Sequence, residues 1–384
     1  MTSQLDIEYL LEVARDPEVY TRSKLANQLT EFVEDPATSD QDIDAISPVL
    51  LVLAEDESGI VRRTLLGGLR DLPRVPIDVI FSFAADEDDI ASEILMHSPA
   101  IRDHELIAIV KICDELRRTS IAGRANLSPP VCRALIEHGP LGVVQALLGN
   151  ERAKIDAAGY EAVMRRYGST GEVESILIKR RDLPPLLAIG LVDTVSDRLQ
   201  AFASNKKWLH PDKAAQVISD AKEDGVVKII SRADISENRN VVRGLMVQNK
   251  LTPSLVLRAA CIGKMDFVEE SFALLAKMPL PMVHNMMFSR GAMGLKAIYM
   301  KAGLPGAMFS AVRVAVDVYR ELRDDMEISN EGRFGRRMIE RILTQYEEFS
   351  DDDKRYLLSM LRRYASIETR PLVDRVLNDM AAAA

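Results

Sequence analysis

The stretch Leu53-Ala54-Glu55-Asp56-Glu57-Ser58-Gly59-Ile60-Val61-Arg62-Arg63-Thr64-Leu65-Leu66 decides the fold of this chain, because neighbouring segments repeat its pattern. It predicts a tight turn followed by the second helix of a two-helix unit. Asp56 can accept hydrogen bonds from the unpaired N–H groups at a helix start. Leu65 and Leu69 lie four residues apart, so they share one helix face and can pack against a neighbouring helix.

An aspartate followed six residues later by an arginine occurs twice in this context, as Asp16/Arg22 and Asp56/Arg62. A third copy covers Phe83–Ile90, with Ser92 at the position of the arginine. Self-similarity at a spacing of about 30 to 47 residues is typical of stacked helical hairpins. The third copy keeps its aspartate and lacks the arginine, so we expect the series to end or change there.

The aspartate–arginine spacing resembles that of the HEAT-repeat family, in which the two side chains form a ladder between successive repeats. The resemblance implies that each arginine reaches the aspartate of an adjacent repeat. Any amphipathic helix with a capping aspartate gives a similar pattern, but three aligned copies favour the repeat. We therefore predict an all-α fold, a HEAT-like α-solenoid of helical hairpins with a helical C-terminal region.

The composition supports this class. Of the 384 residues, 47% are hydrophobic and only 5% are aromatic, which suits a helical core of aliphatic side chains better than a β-sandwich. No apolar run is long enough to cross a bilayer, and the first residues show no secretory signal. Three distant cysteines, Cys113, Cys132 and Cys261, indicate a reducing cytosol and argue against disulfides or a zinc site. We expect a cytoplasmic protein without membrane contact.

The net charge of −9 is concentrated at one end. Residues 1–60 carry 14 acidic and 3 basic residues, whereas the rest of the chain is close to neutral. An acidic surface repels nucleic acid, so we consider nucleic acid an unlikely partner for this part of the chain.

Turn-forming residues suggest three regions. Asn205-Lys206-Lys207-Trp208 interrupts the apolar pattern, and a polar stretch covers 324–332. We predict an N-terminal helical-repeat array over 1–204, a continuing hairpin region over 205–325 and C-terminal amphipathic helices over 326–384.

Three short phrases, Ser98–Leu106, Ile121–Ser128 and Gly294–Pro305, resemble a bacterial family known as domain of unknown function 2336. The resemblance covers roughly residues 20–310 and rests on helix-and-turn phrases without chemistry. It implies a helical-repeat protein of the bacterial cytosol and brings no catalytic residues.

Motifs of catalysis and cofactor binding are missing from the sequence. The five histidines form no His-x-x-x-His pair, and no P-loop, dinucleotide fingerprint or nucleophile elbow is present. His97 and His104 are separated by Pro99, which we expect to break a shared helix. We therefore predict no catalytic residues, no metal and no cofactor, and a protein that is not an enzyme.

Seven methionines fall within 31 residues, from Met278 to Met308. Met282 and Met286 lie one helical turn apart. Flexible thioethers suit the recognition of varied helices or peptides, so one hypothesis is a partner-binding groove lined by these side chains. The alternative is that they fill the core.

A second candidate surface is basic. Arg333, Arg337 and Arg341 are spaced by four, with Arg336 beside them, and Phe334 and Met338 occupy the apolar side of the same helix. Such a stripe can bind phosphates or an acidic partner, including the acidic N-terminal end of a second copy in a homodimer. The alternative is a solvated face paired with local glutamates.

The function that these features favour is a non-enzymatic scaffold or regulatory adaptor that binds protein partners, because stacked hairpins form extended surfaces. The rival hypotheses are a nucleic-acid-binding protein, such as a HEAT-fold base-repair enzyme, and a sensor of a nucleotide ligand. Both rest on analogy between folds.

Overall fold

A computed structural model of the chain describes residues 6–168, 170–206, 211–289 and 292–324, together with 334, 337–338, 340–341 and 374–375. Within these residues the chain forms 20 α-helices, one 3₁₀ turn and no strand, which confirms the all-α class. The chain divides into two compact units, Met1–Leu183 and Pro184–Ala384. The predicted C-terminal region, 326–384, lies almost entirely outside the described residues.

The first unit contains twelve described helices of 7 to 16 residues. They are α1 (Ile7–Val13), α2 (Val19–Glu34), α3 (Asp40–Ala54), α4 (Gly59–Leu69), α5 (Ile77–Ala85), α6 (Asp88–His97), α7 (Asp103–Ile112), α8 (Glu115–Ala122), α9 (Pro129–His138), α10 (Leu141–Gly149), α11 (Ala157–Tyr167) and α12 (Gly171–Leu177).

Helices of the first unit pack in two rows. The even-numbered helices from α2 to α12 each contact the next even-numbered one, and α3 contacts both α1 and α5. Consecutive helices such as α3 and α4 or α5 and α6 also pack together. This order is compatible with the stacked hairpins of a HEAT-like solenoid.

The hydrophobic period explains the packing of α2 on α4. Leu25, Leu29 and Val33 are buried on α2 at intervals of four residues. Val61, Leu65 and Leu69 of α4 repeat that interval, and all three are buried. Each helix therefore presents one continuous aliphatic stripe to the other.

The second unit contains α13 (Pro185–Lys206), α14 (Pro211–Arg232), α15 (Ile235–Val247), α16 (Pro253–Cys261), α17 (Met265–Leu275), α18 (Leu280–Phe288), α19 (Ala292–Lys301), the 3₁₀ turn Gly306–Met308 and α20 (Phe309–Asp324). The sequence-based boundary near 204–211 falls between α13 and α14, and residues 207–210 are outside the described ones. Val226–Ile230, the most strand-like run in the sequence, lies inside α14.

Two proline-led helix starts differ in detail. Pro129 and Pro253 each occupy the first position of a helix, where proline's missing N–H costs no hydrogen bond. Thr252 caps α16 through a bond of 3.1 Å from the Leu255 N–H to its hydroxyl. Ser128 holds the same position before α9, but its hydroxyl makes no such bond.

Candidate functional site

The predicted ladder residues lie at the junctions between successive hairpins. Arg22 donates two hydrogen bonds to Asp56, from Nε to Oδ2 over 2.6 Å and from Nη2 to Oδ1 over 2.9 Å. Its Nη1 donates to the carbonyl of Asp16 over 2.6 Å. The bond with Asp56 raises the pKa of Arg22 above its ordinary value. Asp16 thus contributes its backbone, and the side chain that pairs with Arg22 comes from the next repeat.

Arg62 repeats this arrangement one hairpin later. Its Nε donates to Asp86 over 2.7 Å, and its Nη1 donates to the carbonyl of Asp56 over 2.9 Å. Asp86 belongs to the third copy, in which Ser92 replaces the arginine. Arg117 then binds the backbone there, with 2.6 Å between its Nη2 and the carbonyl of Asp86. The side-chain ladder therefore changes into arginine-to-carbonyl bonds.

Arginine-to-carbonyl bonds recur at helix C-termini in the first unit, and sequence reasoning missed them. Each guanidinium binds the last carbonyls of a helix in an earlier hairpin, where intrahelical partners are lacking. The five arginines with the helix ends they bind are Arg74 (α2), Arg117 (α5), Arg124 (α6), Arg166 (α9) and Arg180 (α10).

Arg180 has the densest set of these bonds. Its Nη1 donates to the carbonyls of Leu148 and Asn150, both over 2.9 Å, and its Nη2 donates to the carbonyl of Ala153 over 3.0 Å. Its Nε also lies 2.6 Å from the hydroxyl of Tyr160. A guanidinium with five fixed donors suits this geometry, and a lysine cannot reproduce it. These arginines hold the hairpins together, and Arg124 and Arg180, both buried, offer little surface to a ligand.

Only part of the predicted arginine stripe can be described, since Arg333 and Arg336 lie outside the described residues. Arg337 lies 3.9 Å from Glu340, three residues later in the chain. Arg341 forms an ion pair with Glu321 of α20. Both described arginines therefore have acidic neighbours within the chain.

The apolar side of that same segment is part of the core. Phe334 and Met338 are buried among the side chains of the second unit. The ring of Phe334 lies against Gly263, just after α16. This segment therefore belongs to the second unit.

The methionine-rich segment splits into three groups in the structure. Met293 is 87% exposed, Met300 62% and Met282 51%. Met287 is buried in the core, and Met278, Met286 and Met308 are partly buried against it. The two predicted partner-binding methionines, Met282 and Met286, thus differ in their surroundings although they are one turn apart.

The exposed methionines lie on two helices that pack together, α18 and α19. Met293 and Met300 are seven residues apart, so they share a face of α19 with the exposed Lys296 and Ala297 between them. Behind this face, Leu295, Ile298 and Tyr299 are buried. Tyr299 packs its ring edge against Phe272 and donates to the carbonyl of Pro305 over 2.6 Å. We call Met282, Met293, Lys296, Ala297 and Met300 the methionine face.

A second group joins α17 to α18. Glu269 is largely buried, and its Oε2 lies 3.0 Å from Nδ1 of His284. Burial raises the pKa of the Glu269 carboxyl, the nearby carboxylates of Asp266 and Glu270 act in the same direction, and His284 opposes them.

Aromatic rings continue this group toward α20. The ring of His284 lies 4.9 Å from that of Phe288, which lies 5.6 Å from that of Tyr319. Burial raises the pKa of the Tyr319 hydroxyl above its ordinary value. The Glu269 carboxyl can hold or release a proton. The Glu269–His284 pair lies at the edge of the core, beside these aromatic rings.

The described part of the chain offers no metal site. No group of three histidine, cysteine, aspartate or glutamate side chains there is placed to hold a metal ion. Cys132 and Cys261 are buried, and Cys113 is half-buried. Nor does any helix among the described residues combine the length and apolarity that a bilayer crossing requires.

Comparison with known proteins identifies one family. Residues 90–350 match the family described as an uncharacterised protein conserved in bacteria, DUF2336, which confirms the resemblance predicted from the short sequence phrases. No curated protein matches the chain. Among solved structures, an engineered protein from the Northeast Structural Genomics Consortium aligns over 98% of this chain and 99% of its own, at 14% identity. Its TM-score is 0.24, so the alignment carries no argument about fold or function.

Proposed function

This chain belongs to the bacterial DUF2336 family, and we propose that it is a non-enzymatic scaffold that binds a protein partner through the methionine face. A cytoplasmic location is part of the proposal. It follows from the three cysteines, all of them free thiols in the structure, as expected in a reducing compartment.

The exposure of Met293 and Met300 is the observation that carries the proposal. Apolar side chains of this size, placed seven residues apart and mostly exposed, leave a strip of α19 uncovered. Met282 is exposed as well, on the helix α18 that packs against α19. Because the buried side of α19 is fixed by Leu295 and Ile298, the backbone of the strip is held while the thioethers can change rotamer.

The chemistry of the face fits one class of partner. Thioethers on a helical surface suit the apolar side of an amphipathic helix, which presents side chains at intervals of three and four residues. Lys296 lies between Met293 and Met300, so a partner helix with an acidic residue beside its apolar stripe is favoured. Neither a nucleic-acid surface nor a nucleotide pocket is favoured by a specific observation in the described residues.

The proposal is tested by replacing the three exposed methionines with glutamine, which keeps the length of the side chain and removes its apolar character. The tagged wild type and the variant M282Q/M293Q/M300Q are used to capture partners from the lysate of the native bacterium, with and without nuclease. Met246→Gln serves as the matched control, since Met246 is an exposed methionine on α15. Circular dichroism and thermal unfolding check that all three proteins fold.

A photo-crosslinking residue in place of Ala297, which lies inside the face, identifies the partner directly. We expect one protein to crosslink at this position, to survive nuclease treatment and to be lost with the triple variant but not with M246Q. If capture and crosslinking are the same for the triple variant and the wild type, the methionine face is not the binding surface. If the captured material disappears with nuclease, the nucleic-acid hypothesis replaces the proposal.

A further inference from the structure

The methionine face holds the three most exposed methionines among the described residues, Met293, Met300 and Met282. In the same unit, Met265 is 1% exposed and Met287 is 2% exposed. An oxidant dissolved in water reaches the side chain of an exposed methionine directly. It reaches a buried one only when the surrounding structure opens. The methionine face therefore presents the most accessible thioethers in the described part of the chain.

The packing of α19 does not depend on these thioethers. The core of the second unit, as far as the structure describes it, includes neither Met293 nor Met300. Behind the face, α19 is held by the buried side chains of Leu295, Ile298 and Tyr299. A change of polarity at the face therefore alters the surface of the helix and leaves its buried side intact.

The cysteines are poor competitors for a mild oxidant. Peroxides react with the thiolate form of cysteine, and burial raises the pKa of Cys132 and Cys261 to about 12. Burial also raises the pKa of Cys113, which is half-buried. At neutral pH all three thiols are almost entirely protonated, and two of them are shielded from solvent. The sulfur that a peroxide reaches most easily is thus that of the exposed methionines.

Oxidation changes the property on which binding at this face depends. A methionine sulfoxide is polar and carries an oxygen that accepts hydrogen bonds, whereas the thioether is apolar and flexible. The apolar stripe of a partner helix offers that oxygen no donor, so its burial is not compensated. Because Met293 and Met300 lie seven residues apart on one face of α19, a partner that covers this helix meets both sulfoxides.

We propose that the methionine face is a site of reversible methionine oxidation, and that sulfoxides at Met282, Met293 and Met300 release the protein partner without unfolding the chain. The oxidant is a peroxide, and the reductant is a dithiol used by methionine sulfoxide reductases. Release of the partner rests on the proposed function, whereas the site of oxidation follows from the exposure of the three side chains.

Each oxidation transfers one oxygen atom to sulfur and two electrons to the peroxide. The lone pair of the thioether sulfur attacks one oxygen of hydrogen peroxide, so a sulfur–oxygen bond forms and the oxygen–oxygen bond breaks. The departing hydroxide takes the proton of the transferred hydroxyl and leaves as water. In the reverse reaction, two thiols become a disulfide and the sulfoxide oxygen leaves as water.

Peptide mapping tests the site of oxidation and requires no partner. The full chain is treated with hydrogen peroxide at neutral pH, and mass spectrometry follows the oxidation of each methionine with time. We expect the three methionines of the face to react at least about tenfold faster than Met265 and Met287, which are reached only through local opening. Circular dichroism and thermal unfolding check that the oxidised chain stays folded. Equal rates for exposed and buried methionines, or loss of helicity when the face is oxidised, would overturn the proposal.

The effect on binding is measured with a fluorescent helical peptide of leucine, alanine and glutamate, whose leucines recur at intervals of three and four residues. We expect peroxide to raise the dissociation constant of this peptide by at least about tenfold. Methionine sulfoxide reductases with dithiothreitol then restore the affinity. Met246→Leu is the control, because Met246 is an exposed methionine on α15, outside the face. M246L loses the peptide on oxidation to the same extent as the wild type.

The variant M282L/M293L/M300L separates oxidation of the face from damage elsewhere. Leucine keeps the face apolar and does not react with peroxide, so the variant's own dissociation constants before and after treatment are compared. We expect these two values to agree. A loss of affinity as large as in the wild type, or a wild type whose affinity peroxide does not change, would overturn the switch. A peptide that does not bind the unoxidised wild type would contradict the proposed function and the switch together, while the oxidation rates test the site by themselves.

Discussion

Arg22 and Asp56 are 34 residues apart in sequence and are joined by two parallel hydrogen bonds of 2.6 and 2.9 Å. Both side chains are mostly shielded from solvent. The pair connects the start of α2 to the turn before α4, and Asp56 also accepts a bond of 2.7 Å from the N–H of Ser58. One carboxylate therefore shapes its own turn and ties it to the preceding hairpin.

Arg22→Lys tests the fork geometry of this pair. The lysine keeps the charge but can no longer make both bonds to Asp56 and the bond to the Asp16 carbonyl, so the Asp56 carboxylate loses partners in a shielded place. We expect a loss of about 2 kcal/mol in the free energy of unfolding, measured by urea denaturation.

Lys24→Arg is the control for this substitution, since Lys24 is an exposed basic residue on the same helix. A double-mutant cycle with Asp56→Asn measures the coupling between the two side chains. If R22K unfolds at the same urea concentration as the wild type, the fork geometry of the pair does not stabilise the first unit.

The ladder could be anticipated from sequence because both partners are side chains with a fixed spacing. Asp16/Arg22 and Asp56/Arg62 place an acid and a base six residues apart in aligned repeats. The arginines that bind carbonyls at helix C-termini, here called the capping arginines, could not be anticipated. Their partners are backbone carbonyls, which every residue has. Their separation from the helix ends they bind, such as 32 residues from Arg180 to Leu148, reflects the stacking of hairpins and leaves no residue signature.

Arg180→Lys tests the capping arginines. The amine of lysine cannot reach the carbonyls of Leu148, Asn150 and Ala153 together, so at least two carbonyls at the end of α10 lose their donors. We expect a loss of about 2–4 kcal/mol in the free energy of unfolding. Arg181→Lys is the matched control, because Arg181 is the adjacent, exposed arginine. Equal stability of R180K and R181K in thermal and urea unfolding would contradict the capping role.

Glu269→Gln tests the effect of the buried carboxyl on stability. The pKa of Glu269 has an ordinary value of 4.5 and is raised in the folded chain. Between these two values the folded state binds more protons than the unfolded state, so the free energy of unfolding falls as pH rises. The stabilisation is fully present below pH 4.5 and is lost as the pH passes through the raised pKa.

Glutamine at position 269 stays neutral, so the free energy of unfolding of the variant does not show this decrease with rising pH. The difference in unfolding free energy between E269Q and the wild type, measured from pH 4 to pH 8, therefore grows in favour of the variant as pH rises. Glu270→Gln controls for the removal of one negative charge from the same turn of α17. A difference that stays constant over this range would show that Glu269 does not titrate with a raised pKa.

Thiol reactivity reports the burial of the three cysteines. Burial raises the pKa of Cys132 and of Cys261 to about 12, so both are almost fully protonated at pH 8 and shielded from reagents. The pKa of Cys113 is raised as well, but its side chain is half-buried. We expect a disulfide reagent to modify Cys113 in the native protein and the other two only in denaturant. Peptide mapping that finds Cys132 or Cys261 modified first would contradict the described packing.

The methionine-rich segment shows that helical spacing in the sequence does not by itself predict which side chains are exposed. Met282 and Met286 share a helix face by spacing, yet Met282 is exposed and Met286 is partly buried, because α18 also packs against α17, α19 and α20. Sequence alone gives the period of a helix but not which neighbours cover each turn.

Gly263 and Gly303 both have a left-handed backbone conformation. Comparing them distinguishes the cost of backbone strain from the cost of a steric clash. Their φ angles are +82° and +72°, a region that L-residues avoid, so alanine strains the backbone at either position. At Gly303 an added Cβ meets nothing within 4 Å, whereas at Gly263 it meets the ring of Phe334 at 3.1 Å. We expect G303A to lose about 1 kcal/mol of unfolding free energy and G263A to lose roughly 1–3 kcal/mol more. In a Phe334→Ala background that ring is gone, so the two glycine substitutions become equal; if G263A still costs more there, Phe334 does not pack on Gly263.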